Sequence, residues 1–209
     1  MEHGSISIDQ LPNIFRAIEL SETLSLVRLA ESSPRECKRA LDAGAAGIIA
    51  PMINNGKQLL EIKEACCWPP MGNRGVGYSR ANLFGKEFEH YTEEAKAPFL
   101  VAQIEHINAV ENLEDILLVK GLDAILVGPY DLSASMNLTG NFQHKDFKNV
   151  MKKIMSVAND FNIPCGDHLL KLDSQLLIER IREGFRFIAY GTDGVFLNSA
   201  SEYPNIKKL

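Results

Sequence analysis

The chain has 209 residues, 45% of them apolar and 23% charged, and its 27 acidic and 22 basic side chains give a formal net charge of −5. That is enough chain for one sizeable domain, with the composition of an ordinary soluble globular protein. The acidic balance argues against nucleic-acid binding, which wants a basic face, and no apolar run reaches membrane-spanning length.

The first residues, Met1-Glu2-His3-Gly4, lack the basic and apolar regions of a secretory signal. Residues 8–18 read as a helix, with Leu11, Ile14, Phe15 and Ile18 on one face and Ser7 as a candidate cap. Residues 24–29 read as a strand. Residues 34–41 read as a helix with Pro34 just inside its start and Gly44 just past its end, the favoured asymmetry. A strand over 47–51 and a helix over 57–67 follow. Cys66 and Cys67 end that helix as buried thiols. With Cys37 and Cys165 they show no zinc spacing and are too few for a disulfide framework, so a reduced, cytoplasmic protein is expected.

Residues 68–97 are rich in proline, glycine and polar residues. They read as a long excursion with one short helix at 87–94, and such excursions in compact domains are often functional. Strands are then expected at 99–104 and 124–128. Between them Ala109, Val110, Leu113, Ile116 and Leu117 recur at helical spacing. A helix over 145–161 carries the stripe Phe147, Val150, Met151, Ile154 and Val157. A strand over 163–167, a helix over 174–182 ended by Gly184, a strand over 187–190 and a helix over 193–200 complete the chain.

Alternating strands and helices imply an α/β fold with a parallel sheet. Six strands suit either an incomplete barrel or a doubly wound sheet. The glycine-rich signature of a dinucleotide fold is absent. The most informative residues are Glu105 and Asp131. Each closes an apolar run, and in a strand–helix–strand unit both fall at the carboxyl ends of parallel neighbours. Two such oxygen donors suit a hard divalent cation.

Taken in order, Glu2-His3-Gly4, Val27-Arg28, Leu41-Asp42-Ala43-Gly44, Ala50-Pro51-Met52, Pro69-Pro70, Arg74-Gly75-Val76-Gly77, Gln103-Ile104-Glu105 and Gly128-Pro129-Tyr130-Asp131-Leu132-Ser133 resemble the HpcH/HpaI family of metal-dependent, class II pyruvate aldolases. The resemblance runs from Glu2 to about residue 200, and the last two motifs together are the specific ones. It implies a (β/α)8 barrel of the TIM type. In the family the Glu-His-Gly motif ends the second strand, so a single domain over 1–209 is expected that lacks the first strand and most of the second. Unpaired sheet edges would follow.

The resemblance also implies roles. Glu105 and Asp131 would hold magnesium, manganese or cobalt. Arg28 would bind the oxo acid and offset charge on its keto oxygen. His3 would be the base, with Asp42 orienting it. Gln103, Gly128, Pro129 and Tyr130 would contact substrate, although Tyr130 stands where relatives more often have a small residue. Arg74-Gly75-Val76-Gly77 fits a loop near the mouth or a surface turn, and Asp167 and His168 end a strand there. The implied reaction cleaves or forms a 4-hydroxy-2-oxo acid, with pyruvate and an aldehyde as partners and a homo-oligomer as the assembly. No lysine ends any expected strand, in keeping with a metal route over an imine route. The rivals are a lyase for malyl- or citramalyl-type acyl thioesters and a non-catalytic remnant that binds a small acid or a partner.

Overall fold

The computed structural model describes residues 1–170 and 172–201. Its elements are α1 (Leu11–Glu19), β1 (Leu26–Arg28), α2 (Pro34–Asp42), β2 (Gly47–Ala50), α3 (Gly56–Cys66), a 3-10 turn (Arg80–Gly85) and α4 (Phe88–Glu94). After these come β3 (Phe99–Ile104), α5 (Ile107–Glu111), α6 (Leu113–Leu117), β4 (Ala124–Val127), α7 (Pro129–Ser135), α8 (Lys145–Asp160), β5 (Cys165–Leu169), α9 (Ser174–Glu183), β6 (Phe187–Tyr190) and α10 (Asp193–Ala200). Local chemistry sets the helix starts. Ser33 accepts the Glu36 N–H ahead of Pro34, Asn55 accepts the Gln58 N–H, and Asp173 accepts the N–H groups of Gln175 and Leu176. Gly184, at φ 107°, ends α9 in the left-handed conformation that a side chain would resist.

All six strands are parallel and each pairs with the next in sequence, in the order β1-β2-β3-β4-β5-β6. A doubly wound sheet reverses its strand order midway and this one does not. Two layers result. Ile48, Ala50, Leu100, Ala102, Ile104, Ile125, Val127 and Cys165 face the helices and join the main core. Val101, Ala124 and Leu126, with Ile49, Phe99 and Phe187, form a second cluster on the opposite face. In that cluster the rings of Phe99 on β3 and Phe187 on β6 lie 6.3 Å apart although two strands separate them. The sheet is therefore curled, with its second face turned inward.

Three expectations are corrected. Ser7 does not cap α1. Its hydroxyl bonds to Asp9 and Gln10, the helix starts at Leu11, and the N-cap Gln10 makes no side-chain cap bond. The helix between β3 and β4 is two short ones, broken at Asn112, although the five expected apolar residues are all buried. Between the strand ending at 128 and the helix starting at 145 no element is expected, yet the chain after β4 turns directly into α7 because Pro129 at its first position favours a helix start.

Candidate active site

The strand register fixes which side chains share the inner face. In a parallel ladder, paired residues point the same way, and the direction alternates along each strand. Arg28 pairs with Ile49, Ile49 with Val101 and Val101 with Ala124. Gln103 pairs with Leu126, and Leu126 with Gly166. The inner face at the carboxyl end therefore carries Arg28, Gln103, Glu105, Gly128 and His168. This is the end at which (β/α) barrels hold their chemistry.

Arg28 is the last residue of β1 and is mostly buried. Its Nε lies 3.0 Å from Glu2 Oε2, and its carbonyl accepts the Met1 ammonium at 3.0 Å. The amino-terminal segment thus crosses the end of β1, and Glu2 neutralises the arginine. Burial and the Arg28 charge push the Met1 ammonium below its ordinary range, with Glu2 acting the other way.

Glu105 follows β3 and is buried. Its Oε1 accepts the Met52 N–H at 2.6 Å and its Oε2 accepts Gln103 Nε2–H at 2.6 Å. Met52, the donor, is held at φ 51°, a left-handed conformation uncommon for a side-chain-bearing residue. Burial pushes the Glu105 carboxyl above the usual carboxylate range. The Met52 N–H lowers it, the Glu2 and Asp131 charges raise it further, and Gln103 lowers it. Asp131 is not at a strand end as expected. It lies exposed in the first turn of α7, close enough to Glu105 to repel it. Gly128 makes room for this arrangement, since a Cβ there would sit 2.8 Å from Glu105 Oε2 and 3.1 Å from Gln103 Nε2.

These residues fit a hard divalent cation. The Glu2 and Asp131 carboxylates both repel Glu105, and among the described residues the buried Gln103 Oε1 has no hydrogen-bond partner. Among the described residues no group of three or more His, Cys, Asp or Glu side chains could hold a metal by itself. Glu105 and Asp131 would therefore bind the ion with substrate oxygens and water completing its shell.

The expected His3–Asp42 pair is not formed within the chain. His3 is exposed and its Nε2 lies 3.8 Å from Glu2 Oε2. Asp42 is the last residue of α2, which runs back from the carboxyl end of β1. Just beyond it the Ala46 N–H donates to the Ser25 carbonyl ahead of β1. Asp42 therefore sits at the amino end of the sheet, opposite the mouth. Its carboxylate lies 3.9 Å from Nη1 of Arg74. Burial raises the Asp42 carboxyl, while Arg74 and Lys38 lower it. Arg74 is likewise not at this chain's mouth, and the Gly75-Val76-Gly77 segment after it is exposed at the surface. Arg74 itself is buried, donates to the Tyr91 hydroxyl at 3.0 Å, and lies over the Trp68 and Tyr91 rings at 5.6 and 5.7 Å.

Asp167 and His168 are successive on β5 and so part company. Asp167 turns to the helix layer, where its Oδ2 lies 3.0 Å from Arg180 Nε. His168 turns inward. Burial, then the positive fields of Arg28 and His3, depress its imidazole below the ordinary range. In a flat sheet β1 and β5 would stand about 19 Å apart, so the mutual influence of Arg28 and His168 is a product of the curl. Tyr130 is half exposed, its ring edge-on to Phe142 at 5.0 Å. Pro129 begins α7 beside it. Two contributors carry no sequence signal of their role: the Met52 N–H, because nothing in Pro51-Met52 announces a left-handed residue, and Glu2, whose motif names it without giving it a partner.

Comparison with known proteins agrees with this architecture. The model of the HpcH/HpaI aldolase/citrate lyase family matches residues 1–200. A hydroxypyruvate/pyruvate aldolase of Roseobacter denitrificans is 32% identical over 195 residues, covering 92% of this chain and 75% of that protein. A 2-dehydro-3,6-dideoxy-6-sulfogluconate aldolase of Pseudomonas putida is 31% identical, covering 97% of this chain and 79% of that one. A crystal structure of a family protein from Burkholderia cenocepacia superposes with a TM-score of 0.89 at 28% identity, covering 96% of this chain and 80% of that chain.

Proposed function

The chain belongs to the HpcH/HpaI aldolase/citrate lyase family, and on that premise we propose that it is a metal-dependent aldolase that cleaves or forms a 4-hydroxy-2-oxo acid, with pyruvate and an aldehyde as partners. The six-stranded sheet is read as the wall of a (β/α)8 barrel. The observation that carries the functional reading is the convergence of Arg28, Gln103 and Glu105 on one face, with Gly128 clearing the space before them. The named relatives support an aldolase, and among the described residues no lysine ends a strand, which favours a metal route.

Glu105 and Asp131 would hold the cation, magnesium, manganese or cobalt, which supplies a Lewis acid for the oxo acid's carboxylate and keto oxygens. Arg28 fixes the oxo acid and stabilises negative charge developing on the keto oxygen, where a preset cation is worth most. Gln103 already spans to Glu105, and its free Oε1 and the Gly128-Pro129 backbone border the substrate. Tyr130 narrows that side. His3 takes the proton from the 4-hydroxyl in cleavage and returns it in synthesis. Asp42 reaches a His3 imidazole only from a second copy of the chain, so its orienting role requires a homo-oligomer.

Release of pyruvate from a 4-hydroxy-2-oxo acid, followed through lactate dehydrogenase with manganese present and then with excess chelator, tests the reading. Release that manganese drives and chelation stops is expected. Release unchanged by chelation removes the metal, and no release from any 4-hydroxy-2-oxo acid removes the aldolase.

A further inference from the structure

Arg74 is enclosed to a degree rare for an arginine: its side chain is 0% exposed. Backbone bonds pin the loop that carries it. The Arg74 N–H donates to the Cys67 carbonyl at 2.9 Å and the Asn73 N–H to the Glu64 carbonyl at 2.8 Å, while the Trp68 N–H closes the excursion on the Ala95 carbonyl at 2.8 Å. The guanidinium lies over the Trp68 and Tyr91 rings, which meet edge to face at 5.3 Å, and Nη2 donates to the Tyr91 hydroxyl at 3.0 Å. Among the described residues Nε and Nη1 are buried with no hydrogen-bond partner. A permanent cation held this way is costly unless a negative charge answers it. Among the described residues the one carboxylate in ionic contact with it is Asp42, whose Oδ1 lies 3.9 Å from Nη1.

Asp42 needs a cation in turn. As the last residue of α2 it stands at the negative end of the helix dipole, and its burial also disfavours the charged form. Lys38, one turn back on the same helix, is exposed and therefore screened by water. From the excursion come Arg74, the Tyr91 hydroxyl and Arg80. Arg80 bonds to the Ala43 carbonyl and its charge is answered by Glu19. Arg74 is thus the fixed and unscreened cation behind Asp42. At 3.9 Å it makes a charge contact and not a hydrogen bond, which leaves the Asp42 oxygens open to accept a bond from outside.

We infer that Arg74 is a positioning residue for the reaction: clamped between Trp68 and Tyr91, it sets a fixed cation behind the Asp42 carboxylate and holds that carboxylate ready for a His3 imidazole from a second copy. The inference rests on the aldolase reading and on the His3–Asp42 pairing proposed with it. Arg74 acts through Asp42, and Asp42 through the tautomer and basicity of the imidazole.

The test is cleavage of a 4-hydroxy-2-oxo acid by the manganese-loaded protein, with kcat and KM followed from acid to alkaline pH. In Arg74→Gln kcat should fall about tenfold, part of what a positioned base contributes, with KM for the oxo acid within a few-fold of wild type. The acid limb of the kcat/KM profile should also move to higher pH. Without the cation Asp42 gives up its proton less readily, and once ionised it holds the imidazolium proton more tightly, so both effects push the limb the same way. Arg74→Lys keeps a charge in the box and should leave the limb where it is. If Arg74→Gln yields no folded protein, Arg74→Met, whose thioether suits an aromatic box, is read the same way. An acid limb that stays put while kcat or the melting temperature falls, a limb that moves equally in Arg74→Lys, or failure of both neutral variants to fold makes Arg74 a structural residue and overturns the inference. Asp42→Asn with wild-type activity removes the His3–Asp42 pairing and the inference together but leaves the aldolase standing. Wild-type protein inert toward every 4-hydroxy-2-oxo acid overturns the aldolase reading itself.

Discussion

Glu105 is a carboxylate under opposing influences: two hydrogen bonds favour its charge, while burial and two neighbouring acids disfavour it. The net direction is upward, so in metal-free protein the folded chain binds this proton more tightly than the unfolded one. Stability then falls as pH rises from the ordinary glutamate value of about 4.3 through the raised folded value, and stays reduced above it. Glu105→Gln, whose amide can donate to Gln103 Oε1 once Gln103 flips, should therefore melt above wild type at pH 7 in chelator. The gap should close as pH is lowered through that window. Equal melting temperatures at pH 7 would mean that the hydrogen bonds offset burial and repulsion in full. With manganese added the order should reverse, because the ion binds the carboxylate form. Titration calorimetry should find no manganese binding in Glu105→Ala or Asp131→Ala. Unchanged affinity in both would remove them as ligands. Arg28→Lys keeps the charge but loses the planar fork, so kcat should fall on the order of a hundredfold. A drop of only a few-fold would leave Arg28 as a mere partner for Glu2.

Most elements were legible because their signals are local. Apolar runs gave the six strands to within a few residues, and Pro34 and Gly184 marked helix ends. The turn into α7 was not, because Ala124-Ile125-Leu126-Val127 runs without polar interruption into Gly128-Pro129, and a strand end and a helix start share those residues. The same junction matters most for the site. Gly128 has φ −96°, which any residue can adopt, so a glycine is needed for space alone. Gly128→Ala would drive its methyl against Glu105 Oε2 and Gln103 Nε2. We expect manganese affinity and turnover both to drop about tenfold or more while the melting temperature moves by a few degrees, since the clash lies at a solvent-reachable mouth rather than within the core. Full activity in this variant would show that Glu105 can move aside and that its placement is not held by α7.

At the scale of the molecule, the family resemblance named the candidate site residues but not the end of the sheet at which each stands. Arg28, Gln103 and Glu105 were correctly placed because they end strands. Asp42 was not, since it ends a helix, and a helix that follows a strand ends at the far side of the sheet. His3 and Asp42 do not meet within the chain, so the proposed pairing needs a second copy. The surface around Asp42 is suited to such a contact: its side chain is 29% exposed, and the neighbouring loop, tied to α2 by the Arg80–Ala43 bond, presents exposed Val76, Tyr78, Leu83 and Phe84. Apolar surface of that kind marks an interface. The consequence is measurable by complementation. His3→Ala and Asp42→Asn should each be inactive when purified alone. Co-expressed, they should recover about one quarter of wild-type activity, because a shared site takes its histidine from one copy and its carboxylate from another, and one random pairing in four is intact. Phe84→Asp, far from any catalytic group in its own chain, should lower both the oligomer size seen by light scattering and the recovered activity. A wild type that is monomeric and active, or a mixture no more active than its parts, would show that His3 works without Asp42 and that the orienting group must be sought within the chain, with Glu2 at 3.8 Å the first to test.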